Sequence, residues 1–266
     1  MINLSAFKVS SYPDGHKHIV SNLDLHGDDT LSVSIKSFDD LFLVAQVRRI
    51  HPELTCLHIL YMLAARCDRR FSPGEAVDLK IVCDYIKSLK FDTVSIVKPH
   101  SYITHELMAP EYQISVYDPT YMLLDMLYKS LYDNVRVGQC DVVHISPDAG
   151  ASRWISDLRL KNVIQCEKKR DPATGAVAGV TVPNLEKYAN YENFVIVDDL
   201  CDGGATFTTI AKEIKLTIPE AKVYLVVTHA IFSKGFQPFE GLIDHIFCTN
   251  SFANFENPIV TQLDIR

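Results

Sequence analysis

The chain has 266 residues, 47 % of them apolar and 22 % charged, the composition of an ordinary globular protein with room for one large or two medium domains. A net charge of −7 argues against nonspecific nucleic-acid binding. No apolar run approaches the ~20 residues that span a bilayer, and the start, Met1-Ile2-Asn3-Leu4, lacks the basic head and apolar core of a signal peptide; no nucleic-acid or membrane partner is expected.

In chain order, the first prominent β-rich run is Cys56–Leu63, with Arg66, Arg69 and Arg70 just beyond it. A helix-period segment, Glu75–Leu89, leads to the run Thr93–Val97 and then to His100. Pro119–Tyr132 is again helix-period. The runs Val142–Ile145, Asn162–Cys166 and Phe194–Val197 precede Asp148, Lys168-Lys169-Arg170 and Asp198-Asp199 respectively. Thr208–Leu216 reads as a helix, and the runs Val223–Thr228 and Ile243–Cys248 follow. Strands alternating with helices predict an α/β fold of mainly parallel sheets flanked by helices. Ligands bind such sheets at the carboxyl ends of strands, where these polar residues fall. One αβ set ends and another begins near Asp118-Pro119, which predicts domains 1–118 and 119–266. Seven scattered cysteines without a C-x-x-C point to reduced thiols in a cytoplasm and away from a disulfide framework or zinc site.

The most informative stretch is Asn193 to Phe207, N-F-V-I-V-D-D-L-C-D-G-G-A-T-F. An apolar strand, a small-residue turn and a helix N-terminus together make an anion site, because backbone N–H groups and the helix dipole face the ligand. Asp198 and Asp199 cannot bind phosphate, but they can accept hydrogen bonds from sugar hydroxyls, so the pair beside an anion cradle suggests a ribose phosphate. Neither G-x-x-x-x-G-K-[ST] nor G-x-G-x-x-G occurs, so any nucleotide is held by other means.

With these residues assembled, the chain resembles the phosphoribosyl pyrophosphate synthetases, or ribose-phosphate pyrophosphokinases, from about Ser11 to Asn250. Tyr12-Pro13-Asp14-Gly15 looks like the F-x-D-G-E segment that meets adenine across a subunit interface. Ala65 to Pro73, A-R-C-D-R-R-F-S-P, looks like the ATP loop Y-A-R-Q-D-R-K-F-x-P. Lys98-Pro99-His100 stands where the family has D-L-H, and Ser146-Pro147-Asp148-Ala149-Gly150 matches S-P-D-x-G-G. Glu167 to Arg170 matches the D-K-R-R segment, Asp198 to Thr206 the D-D-x-x-D-T-G-G-T loop, and Thr228-His229 the T-H-G segment.

The resemblance implies two tandem phosphoribosyltransferase-like domains, the first binding ATP and the second ribose phosphate. The implied reaction moves the β,γ-diphosphoryl group of ATP to the C1 hydroxyl of ribose 5-phosphate. Lys168 and Arg170 are the implied catalytic residues; Tyr12, Asp14, Arg66, Asp68 and His100 bind ATP. Asp198, Asp199, Asp202, Gly203, Gly204, Ala205 and Thr206 bind the ribose phosphate, and His100 and Asp148 hold Mg²⁺. A homo-oligomer is implied as well.

Departures shape these expectations. The family's first strand and helix are largely missing, the P-V-N-D stretch is absent where Ser34 to Asp40 runs, and Lys98 replaces the acid of D-L-H. Cys67 and His16 replace polar residues. In the ribose-phosphate loop a hydroxyl that would hold a 5-phosphate monoester is replaced by Gly203, and Ala205 replaces a glycine. A widened cradle at Gly203 would admit a substituted ribose phosphate such as ADP-ribose. Two further readings are a type I phosphoribosyltransferase, which shares the D-D-x-x-x-G-x-T loop, and a non-catalytic nucleotide-binding regulator.

Overall fold

A computed structural model describes residues 1–70, 72–109, 113–132, 141–170 and 177–266, without the side chains of 168–170 and 177–178. The chain divides into two compact units, Met1–Asp118 with Ile265–Arg266, and Pro119–Asp264. The last two residues, expected with the second domain, group with the first. Ile265 is buried and the charge of Arg266 acts on Lys36.

In the first unit, β1 (Ile2–Asn3) is followed by a hairpin of β2 (Lys8–Ser11) and β3 (Lys17–Val20), then β4 (Thr30–Ser34), α1 (Phe38–Ile50) and β5 (Cys56–Tyr61). Next come α2 (Asp78–Ser88), β6 (Thr93–Val97), α3 (Ile103–Met108) and β7 (Gln113–Tyr117). A parallel sheet runs in the order β1-β4-β5-β6-β7. Leu31, Leu57, Ile59 and Val94 of its strands pack with Leu41, Val44 and Val47 of α1 and Leu79, Val82 and Ile86 of α2, while Ser32, His58 and Ser95 alternate with them along β4, β5 and β6. Ser37 and Asp40 start α1 as a reciprocal capping box, which satisfies two otherwise orphaned backbone donors.

The second unit begins with α4 (Thr120–Leu131), β8 (Val142–Ser146), α5 (Ala149–Ile155), β9 (Val163–Gln165) and a hairpin of β10 (Glu167–Arg170) and β11 (Val177–Thr181). It continues through β12 (Asn193–Cys201), α6 (Ala205–Thr217), β13 (Lys222–Ala230), β14 (His245–Thr249) and β15 (Val260–Leu263). The parallel sheet has the order β15-β14-β13-β12-β8-β9. From β8 the chain steps outward to β9, then returns to lay β12 on the other side of β8. That reversal makes the β8/β12 boundary a topological switch point, where ligands enter open α/β sheets. One face carries α6, through Phe207, Ile210 and Ile214; the other carries α4 and α5, through Leu123, Leu127, Ala151 and Ile155.

Three differences from the sequence expectations matter. The central strand does not stop at Val197: β12 runs through Asp198 and Asp199 to Cys201, because β13 is equally long and keeps pairing to Cys201↔Ala230. The helix starts at Ala205, three residues before the Thr208 start that the apolar periodicity shows. The two antiparallel hairpins lie outside the parallel pattern. No helix among the described residues is long and apolar enough to cross a membrane.

Candidate active site

The ribose-phosphate candidates converge at the end of β12. Asp199 is buried, and its N–H donates to Asp198 Oδ1 at 2.9 Å. Burial first, then the neighbouring negative charge of Asp199 and more weakly that of Asp148, holds the Asp198 carboxyl well above the usual carboxylate range. Two carboxyls that cannot both ionise cheaply are poised for hydroxyl donors or a cation.

Asp202 to Gly204 then turn the chain into α6. Gly204 is the N-cap at φ 78° and ψ −2°, a left-handed conformation that favours glycine. A Cβ there would also stand 2.4 Å from Phe239 Cζ and 2.7 Å from Cε1, so a buried ring supports the turn from below. No side chain caps α6, which leaves its first backbone N–H groups to a ligand or water. Ala205 is exposed and Thr206 half-buried at this end. A Cβ at Gly203 would meet Cδ and Cε of the exposed Lys234 at 3.3 Å. The Lys234 stem thus borders the space left by the missing side chain.

On the neighbouring strand, Asp148 is the N-cap of α5, with Oδ1 accepting from Ala151 N at 3.0 Å. Ser146 Oγ donates to the Asp148 carbonyl, and Ser152 Oγ to Ser146 Oγ, which fixes the S-P-D turn. On the other side, Thr228 is fully buried and its Oγ1 has no partner among the described residues, while His229 Nδ1 and Ser251 Oγ lie 2.9 Å apart. Lys168 and Arg170 lie on β10, paired with β11 in the registers Lys168↔Val180 and Arg170↔Val177; their side chains lie outside the described part of the structure.

The ATP candidates belong to the first unit. Asp68 is buried and takes the Arg69 guanidinium on both oxygens, each at 2.8 Å. These bonds and one from Ser101 push its carboxyl down to about 2 against the opposing effect of burial. The loop after β5 is thereby pinned to the segment after β6, where His100 is exposed and adds to the lowering of the Asp68 pKa. Arg66 is exposed on the same loop; Phe71 lies outside the described residues. Lys98, standing in place of the acid, is buried and ion-paired to Asp118, so it serves the sheet end and not a metal. Tyr12 and Asp14 form the tip of the β2–β3 hairpin: Asp14 Oδ1 accepts from His16 N at 3.0 Å, and the exposed Tyr12 ring stacks on His16 at 5.7 Å.

Among the described residues no group of three or more His, Cys, Asp or Glu is arranged to hold a metal ion. Mg²⁺ does not need such a cage, since it is held by one or two carboxylates with waters and substrate phosphates. The negative potential that Asp148 and Asp199 impose on Asp198 fits a cation of that kind. Sequence reading missed Lys234, Phe239 and the Lys98–Asp118 pair. Of these only Lys98 was marked in the sequence, as the residue standing in place of an acid.

No family profile matches the chain. It is 28 % identical to the ribose-phosphate pyrophosphokinase of Sulfolobus acidocaldarius over 96 % of its own length and 87 % of the relative. Identity to the enzyme of that name from Saccharolobus solfataricus is 24 %, over 73 % of the chain and 66 % of the relative. Among solved structures, the phosphoribosylpyrophosphate synthetase from Mycobacterium smegmatis superposes with a TM-score of 0.76 at 17 % identity, covering 98 % of this chain and 86 % of that one. That superposition shows the same mixed α/β fold.

Proposed function

We propose that the chain is a divergent member of the phosphoribosyl pyrophosphate synthetase family, to whose members it is similar over most of its length, and that it transfers the β,γ-diphosphoryl group of ATP to the C1 hydroxyl of ribose 5-phosphate. The observation that carries this reading is the end of β12, where two buried or half-buried carboxyls stand directly before an uncapped helix N-terminus. Asp198 and Asp199 take the ribose 2- and 3-hydroxyls, whose protons answer their mutual repulsion. The turn from Asp202 to Thr206 takes the 5-phosphate on backbone N–H groups and the helix dipole.

The sugar then offers its C1 oxygen to the β-phosphorus of ATP. A new O–P bond forms in line as the bond from the β-phosphorus to the α,β-bridging oxygen breaks, and AMP leaves with that oxygen. Positioning and charge stabilisation supply the catalysis. Arg66 and His100 bind the ATP phosphates, Asp68 orders their loop, and Tyr12 and Asp14 face the adenine, an assignment that carries a homo-oligomer with it. Lys168 and Arg170 meet the charge that develops on the transferring oxygens. Asp148 in the second unit and His100 in the first are each assigned as a residue that would hold Mg²⁺ with substrate phosphates, and the ion would supply Lewis-acid polarisation when bound.

The test is AMP release from ATP and Mg²⁺ with ribose 5-phosphate and ADP-ribose supplied separately. Turnover with ribose 5-phosphate is expected. Turnover with ADP-ribose alone would replace the sugar substrate and keep the chemistry; silence with both would overturn the reading.

A further inference from the structure

Gly203 stands where the family pattern D-T-G-G-T has a hydroxyl residue, and the Lys234 stem runs beside it. Cδ and Cε of that stem are each 3.3 Å and Cγ 3.6 Å from where a Cβ would stand. The turn that carries Lys234 is tied to the end of β12. Ile231 N–H donates to the Cys201 carbonyl at 2.8 Å, and Gly235 N–H closes the turn on the Phe232 carbonyl at 2.8 Å. Phe232 and Gly235 hold left-handed φ values of 48° and 67°, and Phe232 packs on Phe236 and Phe239 with centroids 4.9 and 5.5 Å apart. A non-glycine residue in that conformation is costly and persists only where surrounding packing imposes it. Lys234 is exposed and makes no ion pair among the described residues. Its ammonium, one bond beyond Cε, therefore stands beside the turn that opens α6.

We propose that Lys234 is a specificity-determining residue of this site, whose ammonium binds the phosphate on C5 of the ribose in place of the hydroxyl lost at Gly203. The proposal rests on the reading of Asp202 to Thr206 as the 5-phosphate turn. A hydroxyl gives one directed hydrogen bond and suits a terminal phosphate oxygen. An ammonium is a point charge with three rotatable donors, and it attracts a phosphate whether its oxygens are terminal or one is esterified. The ligand class is thus a ribose bearing a phosphate on C5, terminal or substituted.

Calorimetric titration of ribose 5-phosphate, ADP-ribose and unphosphorylated ribose into the full-length protein tests this. Lys234→Ala is expected to weaken both phosphorylated sugars by about tenfold or more, a change of ~1.4 kcal/mol, and to leave ribose unchanged. Lys234→Arg should retain most of the affinity. The double variant Gly203→Thr with Lys234→Ala should recover ribose 5-phosphate and not ADP-ribose, because the hydroxyl returns to the space the stem vacates. Affinities of Lys234→Ala within about twofold of wild type for both phosphorylated sugars would overturn the proposal. So would an equal loss for ribose, which would mark a collapsed turn, or a loss confined to ribose 5-phosphate. Absence of AMP release in the wild type with this binding pattern intact would remove the transfer reaction and leave the role of Lys234 standing.

Discussion

Replacing Gly204 by alanine sets two separable costs against each other in one position. The residue holds φ 78°, where an L-residue loses ~1–2 kcal/mol. The new methyl would also sit 2.4 and 2.7 Å from two carbons of Phe239, closer than any real Cβ contact, and overpacking of this kind costs ~1–3 kcal/mol. The ring has little room to retreat, being fully buried and in edge contact with Phe232 at 5.5 Å. Together the variant should lose about 2–5 kcal/mol, or about 4–20 °C in Tm at ~2–4 °C per kcal/mol for a domain of 150–250 residues. Thermal scans of Gly204→Ala, Phe239→Leu and the double variant separate the costs. The smaller side chain relieves the clash and not the dihedral, so Phe239→Leu should cost at least ~1 kcal/mol less in the alanine background than in the wild type. A Tm for Gly204→Ala within about 2 °C of wild type, or strict additivity in the double variant, would refute the reasoning.

Two further outcomes follow from charged groups. Asp198 has its folded pKa raised by burial and by Asp199, so the native state binds a proton that the unfolded chain releases, and stability falls as pH rises from the ordinary carboxylate range through the raised pKa. Asp198→Asn, an isosteric neutral that still accepts from Asp199 N, should raise Tm at neutral pH, with a gain that shrinks as pH falls towards about 4, while ribose 5-phosphate binding is lost; a gain independent of pH would show that the charge is not the cause. Lys98 is buried opposite the half-exposed Asp118, and the two substitutions are unequal. Asp118→Asn removes the charge that balances a buried ammonium and should cost about 1–3 kcal/mol, whereas Lys98→Met removes the ammonium itself and should cost less in a denaturant titration; the reverse order would overturn the assignment.

Sequence pattern located the parallel sheets because their strands are rich in β-branched and apolar residues, continuous in Phe194–Val197, where both faces are buried, and alternating in Thr93–Val97. It ended β12 too early because Asp198, Leu200 and Cys201 pair with β13 through backbone groups, which side-chain polarity does not report. The start of α6 was hidden because Ala205 and Thr206 carry no apolar periodicity and the N-cap is a glycine without a capping side chain. The hairpin β2–β3 was missed because every residue of β2 is exposed, leaving no alternation to read. The order of polar residues at strand ends, from Arg66 to Thr206, was legible, since it depends on local chain chemistry. Lys234 was not: the residue it serves is 31 positions away (234 − 203), and only the fold brings the two together.

The end of β12 is a place where folding terms run against stability. Continuing the strand past Val197 keeps two carboxyls in the sheet instead of releasing them to a solvated turn, and their burial raises Asp198 above its ordinary range. Gly204 holds a conformation that forfeits backbone entropy, and Phe232 holds one that costs a non-glycine residue more. Each of these is tolerated because large apolar clusters surround it: Phe239 beneath Gly204, Phe236 and Phe255 against Phe232. The unfavourable terms share a sign. The raised Asp198 carboxyl and the uncapped N-terminus of α6 are the terms a ligand can answer, by offering hydroxyl hydrogens to Asp198 and Asp199 and negative charge to α6 in one binding event. Stability yielded at a single strand end, at the switch point of the sheet, is what an evolved binding site looks like in energetic terms.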